Sequence, residues 1–371
     1  MTMRISNARL FINGSFVKGG IEFDCRIKAI GQGITGGFDA EGAYVIPGLI
    51  DIHTHAAVGE DASDGSPEGF VKMSLYYAKD GVTSWLPTTM TVGEDDLTKA
   101  MLTARDFVRP EGGAKLAGVN LEGPFVSAKK CGAQNPLFIK APDADMFKRL
   151  NEASDGKVRL VTVAPEELGA EDFIRIVSKE CTVSVGHTAA SYDTAMRAFD
   201  AGASHATHLF NAMPPLHHRD PGVIAAACDA GASVELITDG FHIHPAVIRL
   251  VHRLFGERLV LISDSLRCAG MPDGEYELGG QPITLKNGKA TLSDTDTLAG
   301  SSVHLMEGLR RAVGFGVPLE AAVTAATLAP ARAIGMEREI GSIEEGFPAD
   351  IVLIDEGLNV KKVFVDGKET A

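Results

Sequence analysis

Two histidines two residues apart, His53 and His55, close an apolar run that begins at Tyr44. Such a run reads as a buried strand, and residues i and i+2 of a strand point to the same side. Both imidazoles then face one point in space, and two neutral ring nitrogens converging there suit a divalent transition metal. Alone, a His-x-His pair is more often solvated than a site. Four more residues of the same chemistry follow short apolar runs: Glu122 after Asn120-Leu121, His187 after Val185-Gly186, His208 after Thr207, and Asp264 after Ile262-Ser263. Each has an ordinary explanation when taken singly. A lone His is usually a hydrogen-bonded side chain, and a carboxylate just past a strand is often a helix cap. Six such residues at matching places are hard to explain that way.

The runs that carry them belong to a set of eight, at 44–52, 82–86, 116–121, 158–163, 182–185, 203–207, 233–238 and 259–263. Helical patterns lie between them at 70–80, 95–107, 144–153, 170–179 and 192–201. Strands alternating with helices pair in parallel through right-handed crossovers. Eight units are the count of an α/β (β/α)8 TIM barrel, whose C-terminal strand ends ring one cavity. A doubly wound open sheet is the rival, but no Gly-x-Gly-x-x-Gly follows the first strand. In a barrel the four imidazoles and two carboxylates form a nitrogen and oxygen ligand set for zinc or iron, as one ion or two. Of the remaining histidines, His205 and His252 read as structural, and His304 lies on a helical segment. Residues 1–46 and 339–371 differ from the middle. They are short β-like pieces between glycine turns, expected to build one small β-sandwich domain from both termini beside a barrel of residues 47–338.

The 371 residues suffice for a large α/β domain and a smaller companion. A formal net charge of −14 disfavours nucleic acid as a partner. An anionic small substrate stays open, because a site can be locally positive in an acidic protein. The five cysteines show no CxxC pair, so neither a disulfide framework nor a thiolate zinc site is expected. With no leader pattern at the N-terminus and no apolar run of about 18 residues, the reading is a cytoplasmic protein without a membrane partner.

Longer motifs extend these observations. Pro47-Gly48-Leu49-Ile50-Asp51-Ile52-His53-Thr54-His55 is followed by Leu121-Glu122-Gly123-Pro124-Phe125, Lys129-Lys130-Cys131-Gly132-Ala133 and Gly186-His187-Thr188. Then come His208-Leu209-Phe210-Asn211-Ala212-Met213-Pro214-Pro215, Thr238-Asp239-Gly240-Phe241-His242, Asp264, Ala269-Gly270-Met271-Pro272-Asp273-Gly274 and Thr297-Leu298-Ala299-Gly300-Ser301-Ser302. In this order, across nearly the whole chain, they resemble the amidohydrolase superfamily and, within it, the N-acetylglucosamine-6-phosphate deacetylases.

That resemblance implies metal-dependent hydrolysis of the acetamide of N-acetyl-D-glucosamine 6-phosphate, giving glucosamine 6-phosphate and acetate in amino-sugar catabolism and cell-wall sugar recycling. It implies that Glu122, His187 and His208 hold the main ion, and His53 with His55 a second. Zinc is the expected metal and iron(II) the other candidate. Asp264 would take a proton from the attacking water and return it to the leaving amine. Asn211, the backbone at Ala212 and Arg219 would contact the sugar phosphate. His242, after Asp239, would reach the phosphate, in some members from the partner subunit, so a homodimer with His242 near the neighbouring site is expected. Leu298, Ala299 and Gly300 would close on the sugar through backbone groups. One position departs from the family form: Gln134, after Ala133, stands where many members carry a histidine that polarises the acetyl carbonyl, and an amide can donate a hydrogen bond but carries no charge. The galactosamine epimer is a rival substrate that no residue separates. The Asn211, Arg219 and His242 set argues against a cyclic-amide hydrolase or a deaminase. A catalytically silent sugar-phosphate-binding regulator would be marked by loss of a ligand or of Asp264, and all are present.

Overall fold

A computed structural model describes residues 2–370. Eight parallel strands form the barrel: Leu49–Thr54, Val82–Thr89, Val119–Glu122, Val158–Val163, Thr182–Val185, His205–Ala206, Ser233–Ile237 and Leu259–Ile262. Each pairs with the next in chain order. The ring closes at its C-terminal end, where Asp264 N donates to His53 O at 2.9 Å and His55 N to Ser265 O at 3.1 Å. On the first strand the period-two alternation divides the labour. Ile50 and Ile52 join a buried apolar cluster with Leu86, Leu160, Val260 and Ile262. Asp51 and His53, on the other side, are buried polar groups.

Helices complete the α/β units, including Pro67–Lys79, Glu94–Asp106, Ala144–Ala153, Ala170–Val177 and Tyr192–Ala201. Their starts follow capping chemistry: Ser66, Asp143 and Ser191 each accept a backbone N–H of the first turn. His304 precedes its helix rather than lying within it, and its ring accepts from Glu307 N.

The expected first strand divides in two. Tyr44–Pro47 pairs with strands from both ends of the chain, Met3–Ile12 and Ile351–Ile354. Leu49–Thr54 enters the barrel. Gly48 is the junction, and a Cβ there would lie 2.0 Å from Thr83 Oγ1. The terminal segments form an eight-stranded, mostly antiparallel sheet. Phe23, on Ser15–Phe23, and Phe364, on Val360–Val365, stand four strand positions apart in that sheet. In a flat sheet they would be about 19 Å apart, yet their rings lie 5.2 Å apart. The sheet therefore folds over its own core of Ile5, Leu10, Ile21, Val45, Ile351 and Leu353, which gives the sandwich-like small domain.

A three-stranded antiparallel insertion, Gly274–Leu278, Gln281–Lys286 and Lys289–Leu292, follows the eighth barrel strand. Its two-residue turns are Gly279-Gly280 and Asn287-Gly288, all four with positive φ, as tight hairpins require. Among the described residues no helix is long and apolar enough to cross a membrane, and all five cysteines are free.

The Gly48 junction can be tested directly. Gly48→Ala should destabilise the protein by about 1–3 kcal/mol through overpacking against Thr83, measured as a lowered denaturant midpoint with an unchanged m-value. An unchanged midpoint would remove the close approach as the reason for glycine.

Candidate metal centre

The strand ends bring all six sequence-derived residues to one place, each nearly inaccessible to solvent. Their donor atoms form two groups, His53, His55 and Asp264, and Glu122, His187 and His208, each within 4.8 Å of one another. Glu122 joins the groups. Its Oε1 lies 2.9 Å from His208 Nε2 and 3.2 Å from His187 Nε2, and its Oε2 lies 3.2 Å from His55 Nε2. Asp264 Oδ1 is 3.2 Å from His55 Nε2 and 3.6 Å from His53 Nε2.

Three rings are oriented from behind. His55 Nδ1 meets Thr88 O at 3.1 Å, His187 Nδ1 meets Lys130 O at 3.2 Å, and His53 Nδ1 meets Glu235 at 2.8 Å. Carbonyls and carboxylates only accept, so Nδ1 carries the proton and Nε2 presents a lone pair inward. His208 Nδ1 has no partner among the described residues. The inward nitrogens crowd each other: His187 Nε2 and His208 Nε2 are 3.0 Å apart. Two lone pairs at that distance repel unless a cation lies between them. His53 Nε2 is buried without a hydrogen bond among the described residues. This donor set fits a divalent metal ion.

The electrostatics agree. Burial alone would lower the His55 pKa, but hydrogen bonds to Asp264 and Glu122 outweigh it and raise it to about 9. His53 is raised well above its ordinary value against the same desolvation, chiefly by Glu235 and Glu122. Burial would raise the Glu122 and Asp264 carboxyls, yet the facing imidazoles hold both below the usual range. The cluster favours positive charge at its centre.

Backbone strain marks the same points. His187, His208 and Asp264 adopt left-handed conformations, with φ of 45°, 23° and 48°. Each non-glycine residue held so costs of order 1–3 kcal/mol, and such strain collects at functional sites.

Comparison with known proteins decides the family. The amidohydrolase family model matches residues 44–370. This chain belongs to the amidohydrolase family. It is 40% identical over 326 residues to an N-acetylglucosamine-6-phosphate deacetylase of Bacillus subtilis, covering 86% of this chain and 82% of that one. It is 36% identical over 334 residues to an N-acetylgalactosamine-6-phosphate deacetylase of Escherichia coli O157:H7, covering 89% and 88%. A Mycobacterium smegmatis N-acetyl-D-glucosamine-6-phosphate deacetylase, an aspartate-to-alanine mutant in complex with N-acetyl-D-glucosamine-6-phosphate, superposes with a TM-score of 0.94 at 34% identity, covering 100% of this chain and 99% of that one.

In this amidohydrolase five of the six residues, all but fully buried His53, line a cavity of about 390 Å³, together with Lys129, Lys130, Ala133, Gln134, Asn211, Ala212, His242, Leu298, Ala299 and Gly300. Asn211 Nδ2 donates to His208 O at 3.1 Å. Gln134, at the cavity wall, is held by two hydrogen bonds. Its Nε2 donates to Glu122 Oε2 at 2.6 Å and its Oε1 accepts from Thr91 N at 2.6 Å, so it orients the bridging carboxylate. Asp239 stands behind His242, accepting from the backbone N–H groups of Phe241 and His242 and from His242 Nδ1 at 2.7 Å. His242 Nε2 faces Ala299 O at 2.8 Å. Acceptors at both nitrogens favour the protonated ring, and its pKa is raised: Asp239 outweighs burial, which would lower it.

His242 lines the cavity of its own chain. Arg219 is exposed, outside the cavity lining, with its guanidinium against His218 Nε2 at 2.7 Å. The loop after Met213 carries it away from the strand ends.

Glu235 was not singled out in the sequence, although a carboxylate inside the apolar run Val234 to Ile237 was the signal. Leu278, from the insertion, also lines the cavity. Its place there could not be read from strand-end positions.

A Cβ on Gly300 would lie 2.5 Å from Asp264 O and 3.1 Å from its Oδ1, so Gly300→Ala should lower kcat at least about tenfold, in line with the sensitivity of catalysis to small misplacements; steady-state rates check it. His242 is cationic below its raised pKa, so KM for a phosphorylated substrate should rise as pH passes upward through that value, and His242→Gln should flatten the KM profile.

Proposed function

We propose that this amidohydrolase hydrolyses the acetamide of N-acetyl-D-glucosamine 6-phosphate to D-glucosamine 6-phosphate and acetate. The observation that carries the reading is a complete ligand set at the wall and floor of the cavity that His242 also lines. The structural likeness to a deacetylase in complex with that sugar phosphate supports it. Residues 47–338 would form the catalytic unit, with 1–46 and 339–371 as its small companion domain.

Glu122, His187 and His208 would hold one ion, and His53, His55 and Asp264 a second; zinc is the proposed metal, with iron(II) suited to the same ligands. A divalent ion so held acidifies water toward a pKa of about 7 and polarises a carbonyl. The protein supplies the rest. Asp264, kept ionised by the imidazoles it faces, takes a proton from the water as its oxygen attacks the acetyl carbon. The carbon–nitrogen bond then breaks, and Asp264 returns the proton to the departing amine. Gln134 holds Glu122 in place. His242 meets the phosphate, and Asn211, Ala212, Leu298, Ala299 and Gly300 shape the sugar pocket.

The relative acting on the galactosamine epimer supports a second reading, with that sugar phosphate as substrate. The retained ligands and Asp264 count against a silent regulator. Steady-state deacetylation of both epimers and of unphosphorylated N-acetylglucosamine tests the proposal. The glucosamine epimer should give the highest kcat/KM. Equal values with and without phosphate would remove His242 from its assigned role. Asp264→Asn should keep the fold and lose at least about 10²-fold in kcat, the scale of general acid–base catalysis; a near-normal rate would refute it.

We also propose a homodimer in which exposed Arg219, which lies outside its own chain's cavity lining, reaches the neighbouring cavity. Mixing inactive Asp264→Asn with Arg219→Ala should then restore activity, because one site of each mixed dimer is intact. Absence of restoration in proven mixed dimers contradicts the trans role.

A further inference from the structure

Behind the metal centre lies a second polar layer that the reaction itself does not use. Glu235 projects from the middle of Ser233–Ile237 and is inaccessible to solvent. Three N–H groups converge on it: His53 Nδ1 at 2.8 Å and His208 N at 3.0 Å on one oxygen, and His205 Nε2 at 3.1 Å on the other. The far side of His205 is closed by Ser233 Oγ at 2.6 Å from Nδ1. The strand that bears Glu235 also bears Ser233 two residues earlier, on the same side of the pleat, so one element supports both ends of the His205 ring.

The consequence falls on His53. An ionised carboxylate at Nδ1 fixes the proton there and leaves Nε2 as a lone-pair donor, 3.4 Å from Glu122 Oε1 and 3.6 Å from Asp264 Oδ1. With Nε2 protonated instead, His53 could not serve as a ligand. His55, the other histidine on that side, has only a backbone carbonyl behind it. Glu235 also brings a third buried negative charge to a centre that already holds Glu122 and Asp264, and a second divalent cation balances that charge better than one alone.

We propose that Glu235, held by His205, is a positioning residue that sets retention of the second ion, the one bound through His53 and His55. This rests on the two-ion reading above. Carboxylates behind a ligating imidazole raise its basicity and fix its orientation, and their loss typically costs about 10–100-fold in metal affinity.

The test is calorimetric titration of the metal-depleted full-length protein with Zn²⁺ alone, together with metal analysis after dialysis. Wild type should bind two ions per subunit. Glu235→Gln keeps the shape and one acceptor but removes the charge. Its second-ion affinity should fall about 10–100-fold, with the first-ion affinity within about threefold of wild type. His205→Ala should weaken the second ion less, and His205→Gln, whose amide can again donate to Glu235, should restore it. That pair decides the matter if Glu235→Gln does not fold. Lowered melting temperatures with unchanged ion affinities would overturn the proposal and leave the two-ion reading standing. A wild-type protein that binds one ion per subunit would overturn both.

Discussion

Everything in this chain's site depends on one constraint: imidazole lone pairs and carboxylates must be held together out of water. Four Nε2 atoms converge on the oxygens of Glu122 and Asp264, and two of those nitrogens, on His187 and His208, are only 3.0 Å apart. Unscreened, this arrangement is repulsive, and burial makes it more so. A cation at the centre turns the same geometry into mutual attraction. The shifted pKa values of His53 and His55 express the need in its simplest form, since protons are retained where positive charge is wanted.

The fold meets the constraint by rigidity. The barrel closes through main-chain hydrogen bonds at the very residues that carry donors, His53 and Asp264. Left-handed turns at His187, His208 and Asp264 aim side chains inward at a cost the surrounding packing must cover. Acceptors behind the rings settle which nitrogen faces the cavity. Glycines sit where a side chain would displace a donor: Gly123 leaves no room for a Cβ beside Thr91, and Gly300 none beside Asp264. The site is thus specified as much by what lies behind and beside the donors as by the donors themselves.

Much of this was legible in the sequence, for identifiable reasons. Strand-end donors could be found because a barrel converts position along the chain into position around a ring. The break at Gly48 was not visible, since Tyr44 to Ile52 is uniformly apolar and nothing in its pattern says that half of it pairs with another domain. The hairpins turning at Gly279-Gly280 and Asn287-Gly288 went unread, although both pairs carry hairpin turn chemistry, and the place of Leu278 at the cavity depends on where the insertion packs. Glu235 was hidden by its surroundings: a single carboxylate inside an apolar strand reads as an interruption until its partners His53 and His205 are seen. Arg219 follows two histidines and looks like part of a site, yet an exposed loop carries it outward. Spacing identifies residues on regular elements far better than on loops, whose direction is set by tertiary contacts.

The central claim is that bound divalent metal is what makes this buried cluster an amide-hydrolysing site. The most direct measurement is turnover of N-acetyl-D-glucosamine 6-phosphate plotted against ions bound per subunit, as metal is removed with a chelator and then restored. Activity should fall with the ion content, to near zero in depleted protein, and return on adding zinc or iron(II). Full turnover in protein that retains almost no metal would contradict it.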